Sequence, residues 1–321
     1  MKNKLKRITL SYYLLFSLLF FILSSCVSCS NGSDTLEPEQ EQIEDDEPPI
    51  ALTTFRNPVL ASGPDPWVFK NGDEYFVTFT TGNNITLVRT NKMSDLKNGT
   101  QKVIWTPPAS GMNSKEIWAP ELHRINGIWY LYYAASNGDN RTHRMWVLEN
   151  TSDDPFQGIW LDKGELKLPD DKWAIDGSPF ELNGILYPQV TEAPQFLLKN
   201  NKAFIFYSAG GCWRDGYSVG AISMDSSSDP MVVSSWERLV NNPLLTSNNT
   251  GNAFGPGHNS FFKSSDGEED WILYHANPQP GQGCGGERSI RMQKFSWDNN
   301  DLPIIGNPEP LNKDLLKPSG E

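Results

Sequence analysis

The sequence predicts an all-β fold, a five-bladed β-propeller with a shortened third blade, over residues 53–311. Three observations carry this. Apolar residues alternate with period two in run after run, each run is set off by an Asn/Gly/Asp turn, and no helical periodicity of useful length interrupts them. One phrase also recurs near Asp65, Trp118, Asp176, Glu192 and His258: a polar or aromatic marker, a strand, a turn, an aromatic-rich strand, then a small residue. Five such repeats imply a propeller, whose inner strands line a central channel. Finally, the markers are spaced by 53, 58, 16 and 66 residues, and the third interval is too short for a four-stranded blade.

Taken in order, the aromatic strands are Tyr75-Phe76-Val77-Thr78-Phe79 after Asn71-Gly72-Asp73, and Trp129-Tyr130-Leu131-Tyr132-Tyr133 after Asn126-Gly127. Beyond Asp176 the chain has room for one hairpin, Ser178 to Tyr187, before Pro188-Gln189-Val190 leads straight into the Glu192 motif. The pattern then resumes with Ala203-Phe204-Ile205-Phe206-Tyr207 after Lys199-Asn200-Asn201, and Trp271-Ile272-Leu273-Tyr274 after Asp266-Gly267-Glu268. Residues 312–321 read as a C-terminal tail. A blade reduced to one hairpin exposes a strand edge. It would also loosen whatever holds Glu192 against Asp176, and small displacements of an acid are costly in rate.

Residues 1–25 read as a lipoprotein signal peptide. Lys2, Lys4, Lys6 and Arg7 precede an apolar stretch from Ile8 to Leu23, short for a spanning helix and suited to a signal sequence. Leu23-Ser24-Ser25-Cys26 resembles a bacterial lipobox, making Cys26 the candidate for lipidation; Cys29 is a weaker candidate, and an uncleaved anchor is the plain alternative. Residues 26–52 read as an acidic disordered tether, with eight acidic residues between Asp34 and Glu47 and almost nothing apolar to bury. The expected location is the cell envelope, at the outer-membrane surface or the periplasmic face, with membrane contact only through the lipid.

The net charge is −12; without the four basic residues of the signal it is −16, and without the eight tether acids the domain carries about −8. An acidic domain does not seek nucleic acid, whereas a neutral glycan is indifferent to it. Cys212 and Cys284 lie in Gly-rich loops, and the sequence leaves their pairing open. No Cys–His cluster has zinc spacing, no phosphate-binding glycine loop follows a strand, and no Gly-x-Ser-x-Gly elbow occurs.

In a propeller the start of every inner strand faces the same axial pocket. Three acidic residues stand at such starts: Asp65 in Gly63-Pro64-Asp65-Pro66-Trp67, Asp176 in Trp173-Ala174-Ile175-Asp176-Gly177, and Glu192 in Thr191-Glu192-Ala193-Pro194. A converging pair of carboxyls is the minimum equipment for hydrolysing a glycosidic bond. Taken singly each has a bland reading, since Asp before Pro is a common turn former and Glu192 is an ordinary acid ahead of a strand.

Together with Glu116-Ile117-Trp118-Ala119-Pro120-Glu121, Gly257-His258-Asn259-Ser260 and Arg288-Ser289-Ile290-Arg291-Met292-Gln293, these phrases resemble glycoside hydrolase family 43 over residues 55–308. The resemblance implies an inverting glycosidase: Asp65 as general base, Glu192 as general acid, and Asp176 raising the pKa of Glu192 and positioning it. It further implies Trp118 and Arg288 against the sugar, and His258 at the channel centre, contacting a water or a possible Ca²⁺; no cofactor is required. Trp118 has an alternative as a core residue, His258 as a satisfied loop histidine, and Arg291 reads as structural. The implied activity is removal of terminal sugars, α-L-arabinofuranosyl first, from arabinose- or xylose-containing plant polysaccharide or oligosaccharide, by a monomer. The resemblance also leads one to expect roughly 40 more residues between Asp176 and Glu192, a blade's outer strands. β-Xylosidase and endo-arabinanase are the alternatives within the family, and a non-catalytic glycan-binding propeller is the alternative outside it.

Overall fold

Aromatic and β-branched runs form the strands, and Asn-Gly turns fold them back on one another. The computed structural model describes residues 53–168, 170–190 and 192–321. The expected signal peptide (1–25), Cys26 and the tether (26–52) lie outside the described residues, as does Thr191.

The domain opens with a short strand β1 (Thr54–Phe55). Unit I follows as β2 (Trp67–Asn71), β3 (Glu74–Thr78), β4 (Ile85–Thr90) and β5 (Thr100–Trp105). Unit II comprises β6 (Lys115–Ile125), β7 (Ile128–Ser136), β8 (Arg144–Asn150) and β9 (Leu161–Glu165). Unit III is β10 (Gly177–Leu182) and β11 (Ile185–Val190) alone. Unit IV contains β12 (Gln195–Lys199), β13 (Lys202–Ala209), β14 (Ser218–Asp225) and β15 (Glu237–Arg238). Unit V contains β16 (Phe254–Lys263), β17 (Asp270–Asn277), β18 (Ser289–Trp297) and β19 (Pro303–Ile304), and β20 (Leu315–Leu316) comes last. Units I, II, IV and V are four-stranded antiparallel meanders with strands in chain order, and unit III is a two-stranded hairpin. The fold is thus an all-β propeller with four full blades and one hairpin, which is the short third unit that the 16-residue interval predicts.

Apolar clusters join each unit to the next around a closed ring. Trp67, Phe76 and Trp129 link units I and II, Met145 and Ala174 link II and III, and Phe180 with Phe196 link III and IV. Phe206 and Phe261 link IV and V, while Val77, Phe262 and Trp271 close V onto I. Among the described residues the two clusters beside unit III hold three and four buried side chains, against thirteen or fourteen in the others. The hairpin has no outer strands with which to cover more.

What unit III does have is a tight turn. Asn183 (φ 52°) and Gly184 (φ 76°) both sit in the left-handed region between Leu182 and Ile185, the two-residue turn whose twist suits a hairpin. Across the hairpin Pro179 faces Pro188. A rung of two prolines brings no N–H to the ladder.

Residues 312–321 join the domain rather than hanging from it. β20 pairs with β1 (Thr54↔Leu316, Phe55↔Leu315), Arg56 Nε donates to Asp314 at 2.7 Å, and the Glu321 carboxyl accepts from the Met93 N–H. Cys212 and Cys284 form a disulfide with Cα atoms 5.2 Å apart, tying the loop after β13 to the loop before β18.

Candidate active site

Close to the start of each inner strand a non-glycine residue adopts left-handed backbone: Asp65 (φ 55°), Ala119 (42°, with Glu116 at 53° three residues before it), Asp176 (53°), Ala193 (49°) and His258 (50°). That conformation costs a residue with a Cβ on the order of 1–3 kcal/mol and persists where surrounding structure enforces it. The enforcement is visible as a repeated clasp. The Ala119 N–H donates to Thr80 Oγ1 at 2.8 Å, the His258 N–H to Ser208 Oγ at 2.7 Å, and the Asp65 N–H to His275 Nδ1 at 3.1 Å. Each acceptor lies on, or just after, the second strand of the preceding blade. At the joint from unit III to unit IV the acceptor differs: the Ala193 N–H donates to Asp176 Oδ2 at 3.1 Å. The carboxyl of the hairpin's leading residue takes over the clasp.

This geometry turns the leading side chains toward one cavity of about 870 Å³, lined by Asp65, Trp118, Asp176, Glu192, His258 and Arg288 together with loop residues at its rim. All six site residues expected from the sequence therefore meet, although they span more than two hundred positions.

Asp65 is the anionic pole. Burial, the largest single influence, would push its carboxyl up, but the Arg288 guanidinium, which donates to Oδ1 at 2.6 Å, together with His258, His275 and the Thr80 hydroxyl holds Asp65 well below the ordinary carboxylate range. Arg288 is itself buried and aimed, because its Nε and Nη2 donate to the carbonyls of Gly285 and Cys284. His258 Nδ1 lies 3.4 Å and His275 Nδ1 3.5 Å from Asp65 Oδ1. Burial, and then Arg288, push His275 well below the ordinary imidazole value. It is therefore neutral, and its Nδ1 accepts the Asp65 N–H instead of adding a charge.

Asp176 is the opposite case. Burial first, then the Glu192 and Asp65 carboxyls, raise it well above the ordinary range. Ligand-type atoms of Asp176, Glu192 and His258 all lie within 4.8 Å of one another, so the carboxyl that holds its proton more tightly than usual stands close to Glu192. Glu192 Oε1 accepts from the Tyr217 hydroxyl at 2.6 Å. Burial, followed by the Glu192 charge, pushes the Tyr217 phenol well above its ordinary value and keeps it a donor. The ring of Tyr217 stacks on His275 at 5.7 Å between centroids and rests on Gly257, where a Cβ would fall 2.2 Å from Cε1. Only glycine leaves the tyrosine that position.

The remaining candidates separate cleanly. Trp118 is half-buried in the cavity wall and stacks on the buried His143 at 3.9 Å. Arg291 faces away from the cavity; fully buried, it donates to the carbonyls of Gly251, Asn252 and Asn277, which is the structural place its three-residue offset from Arg288 predicts. As a metal centre, Asp176, Glu192 and His258 suit calcium poorly: calcium takes six to eight oxygen ligands, and one of the three donors here is an imidazole nitrogen.

Two functional residues carry no motif and were missed by sequence reasoning, Tyr217 and His275. The available signal was faint: each is a polar ring beside an otherwise apolar strand (Val219–Ala221 and Trp271–Tyr274).

The profile of the family described as Glycosyl hydrolases family 43 matches residues 55–188 and 186–303. The two stretches meet in β11, where unit III passes to the Glu192 motif. The extracellular exo-α-(1→5)-L-arabinofuranosidase of Streptomyces avermitilis is 29% identical over 316 residues, covering 81% of this chain and 65% of that protein. The 316 aligned positions exceed the covered part of this 321-residue chain, so that relative has residues opposite gaps here. The protein of the same name from Streptomyces chartreusis is 30% identical over 271 residues, covering 69% of this chain and 82% of that one. The crystal structure of the α-L-arabinofuranosidase from Lactobacillus brevis matches with a TM-score of 0.74 and 27% identity, covering 81% of this chain and 98% of that chain.

Two expectations follow from the electrostatics. A carboxyl raised in the folded state weakens folding at pH above its unfolded value, because the folded form binds more protons there. Asp176→Asn, which keeps an acceptor for Ala193, should therefore unfold at a higher urea midpoint than wild type at neutral pH. The gain should vanish as the pH falls through the ordinary carboxylate range; a constant gain across pH would refute the assignment. Tyr217→Phe removes one donor from Glu192 and should slow turnover of glycosides with poor leaving groups by about tenfold, on the scale of one hydrogen bond to a charged group. Equal slowing with highly acidic leaving groups would show that Tyr217 is only packing.

Proposed function

The chain belongs to glycosyl hydrolases family 43, and from that membership we propose that it is an inverting glycoside hydrolase removing terminal α-L-arabinofuranosyl residues from plant cell-wall polysaccharide or its oligosaccharides. The observation that carries this reading is the convergence of three carboxyls from three units on one cavity, with Asp65 kept ionised by Arg288 and Asp176 kept protonated beside Glu192. The arabinofuranosidase relatives support the choice of sugar.

In this mechanism Asp65 removes a proton from a water that attacks the anomeric carbon. Glu192 delivers a proton to the departing glycosidic oxygen, and Asp176 positions Glu192 and keeps a proton in its vicinity. The Tyr217 hydroxyl stabilises the carboxylate that Glu192 becomes once the proton has left. Inversion needs carboxyls about 6.5–9.5 Å apart to admit the water. Trp118 and Arg288 bound the sugar, and His258 spans the channel beside Asp65. We read unit III as the third of five blades, reduced to its inner hairpin, a reading supported by its place in chain order between two four-stranded units.

The proposed setting is the cell envelope, with the chain lipid-anchored through Cys26. The Cys212–Cys284 disulfide supports an oxidising compartment. Radiolabelled palmitate should enter the wild type and not Cys26→Ala; equal labelling of both would remove the anchor.

Activity is tested by release of arabinose and of xylose from aryl glycosides. Glu192→Gln and Asp65→Asn should each lower kcat about a hundredfold or more, the usual worth of a general acid or base. The loss in Glu192→Gln should shrink as the aryl leaving group becomes more acidic. Proton NMR should show the anomer of opposite configuration formed first from an α-arabinofuranoside. Turnover that survives Asp65→Asn, or retention of configuration, would overturn the assignment.

A further inference from the structure

The loop after β13 does more than connect. It runs Gly210-Gly211-Cys212-Trp213-Arg214-Asp215-Gly216-Tyr217 and carries Tyr217, the partner of Glu192, at its inner end. At its outer end stands Trp213, which lines the cavity and is 70% exposed. Its loop is tied down at several points. The Arg214 N–H donates to the Gly211 carbonyl, the Gly281 N–H donates to the Asp215 carboxylate at 2.9 Å, and the disulfide ties Cys212 to the loop of unit V. One side of the indole is backed by Gly211, where an added Cβ would fall 2.3 Å from Cζ2. The rest of the side chain is largely open to water.

We propose that Trp213 is a binding platform for the second pentosyl unit of the substrate, the one on the leaving-group side of the scissile bond. The inference rests on the arabinofuranosidase reading given above. Three features carry it. The general acid must stand on the leaving-group side, and Glu192 opens the same unit whose loop bears Trp213. A rigid aromatic side chain backed on one side and otherwise largely open to water is suited to the C–H face of a sugar ring, with little conformational entropy lost on binding. The cavity, at about 870 Å³, lies near the upper end of ligand pockets, which run roughly 300–1,000 Å³, and so has room beyond a single pentose. Trp173, the other exposed indole at the rim, differs: its Nε1 donates to the Asn140 carbonyl and it precedes Asp176, away from the acid's loop.

The test is calorimetric titration of wild type, Trp213→Ala and Trp213→Phe with arabinose and with α-(1→5)-linked arabinotriose, alongside turnover of the trisaccharide. Trp213→Ala should weaken arabinotriose binding about three- to tenfold, the worth of one aromatic face, and leave arabinose binding unaltered; Trp213→Phe should recover most of the loss. Gly211→Ala, which puts a methyl where the ring lies, should reproduce part of it. Equal arabinotriose affinity in wild type and Trp213→Ala would overturn the platform, as would an equal loss for both sugars. Binding that depends on Trp213 without any turnover would sustain the platform and overturn the hydrolase reading instead.

Discussion

Everything in the cavity depends on one backbone constraint: the leading residue of each inner strand is held in left-handed conformation by a neighbour that accepts its N–H or anchors its flank. Released, Asp65 or His258 would relax to ordinary extended backbone, and its side chain would leave the axis. The propeller supplies the acceptors from adjacent blades, Thr80, Ser208 and His275, so the direction of each functional side chain is set by the packing of one unit on the next. Strain at the site is sustained by the ring as a whole.

The same constraint explains how charge is distributed. Asp65 and Asp176 have the same side chain and the same backbone conformation, yet they are driven apart. Asp65 meets a guanidinium that three carbonyl and carboxylate contacts hold in place. Asp176 meets a backbone N–H and the fields of the Glu192, Asp65 and Glu121 carboxyls. Splitting like groups in this way assigns base and proton-holding roles from environment alone.

Much of this was legible in the sequence. The five marker phrases located every strand that faces the cavity, and the 16-residue interval foretold a hairpin in place of a blade. Arg288 and Arg291 were separable by their offset along one strand. Tyr217 and His275 were not legible, because their roles come from stacking on each other across two blades and strand periodicity does not encode that register. The disulfide stayed open because its cysteines are 72 residues apart and only the closed ring brings their loops together. The sequence also did not show that the direct path from Asp176 to Ala193 makes a clasp at the short unit, since a carboxyl can accept the N–H that a second-strand side chain receives elsewhere.

That substitution has a mechanical consequence. Among the described residues the seams beside unit III bury the fewest side chains, and local opening follows the regions with the least buried apolar contact. The first part of the ring to part on warming is therefore the part whose clasp is also a site carboxyl. Fraying of the V–I seam would free the clasp on Asp65 alone, whereas fraying beside unit III shifts Asp176 and the backbone next to Glu192 together. Here fraying and misalignment are one event, so the molecule's working range ends below its melting range, with the hairpin as its fuse.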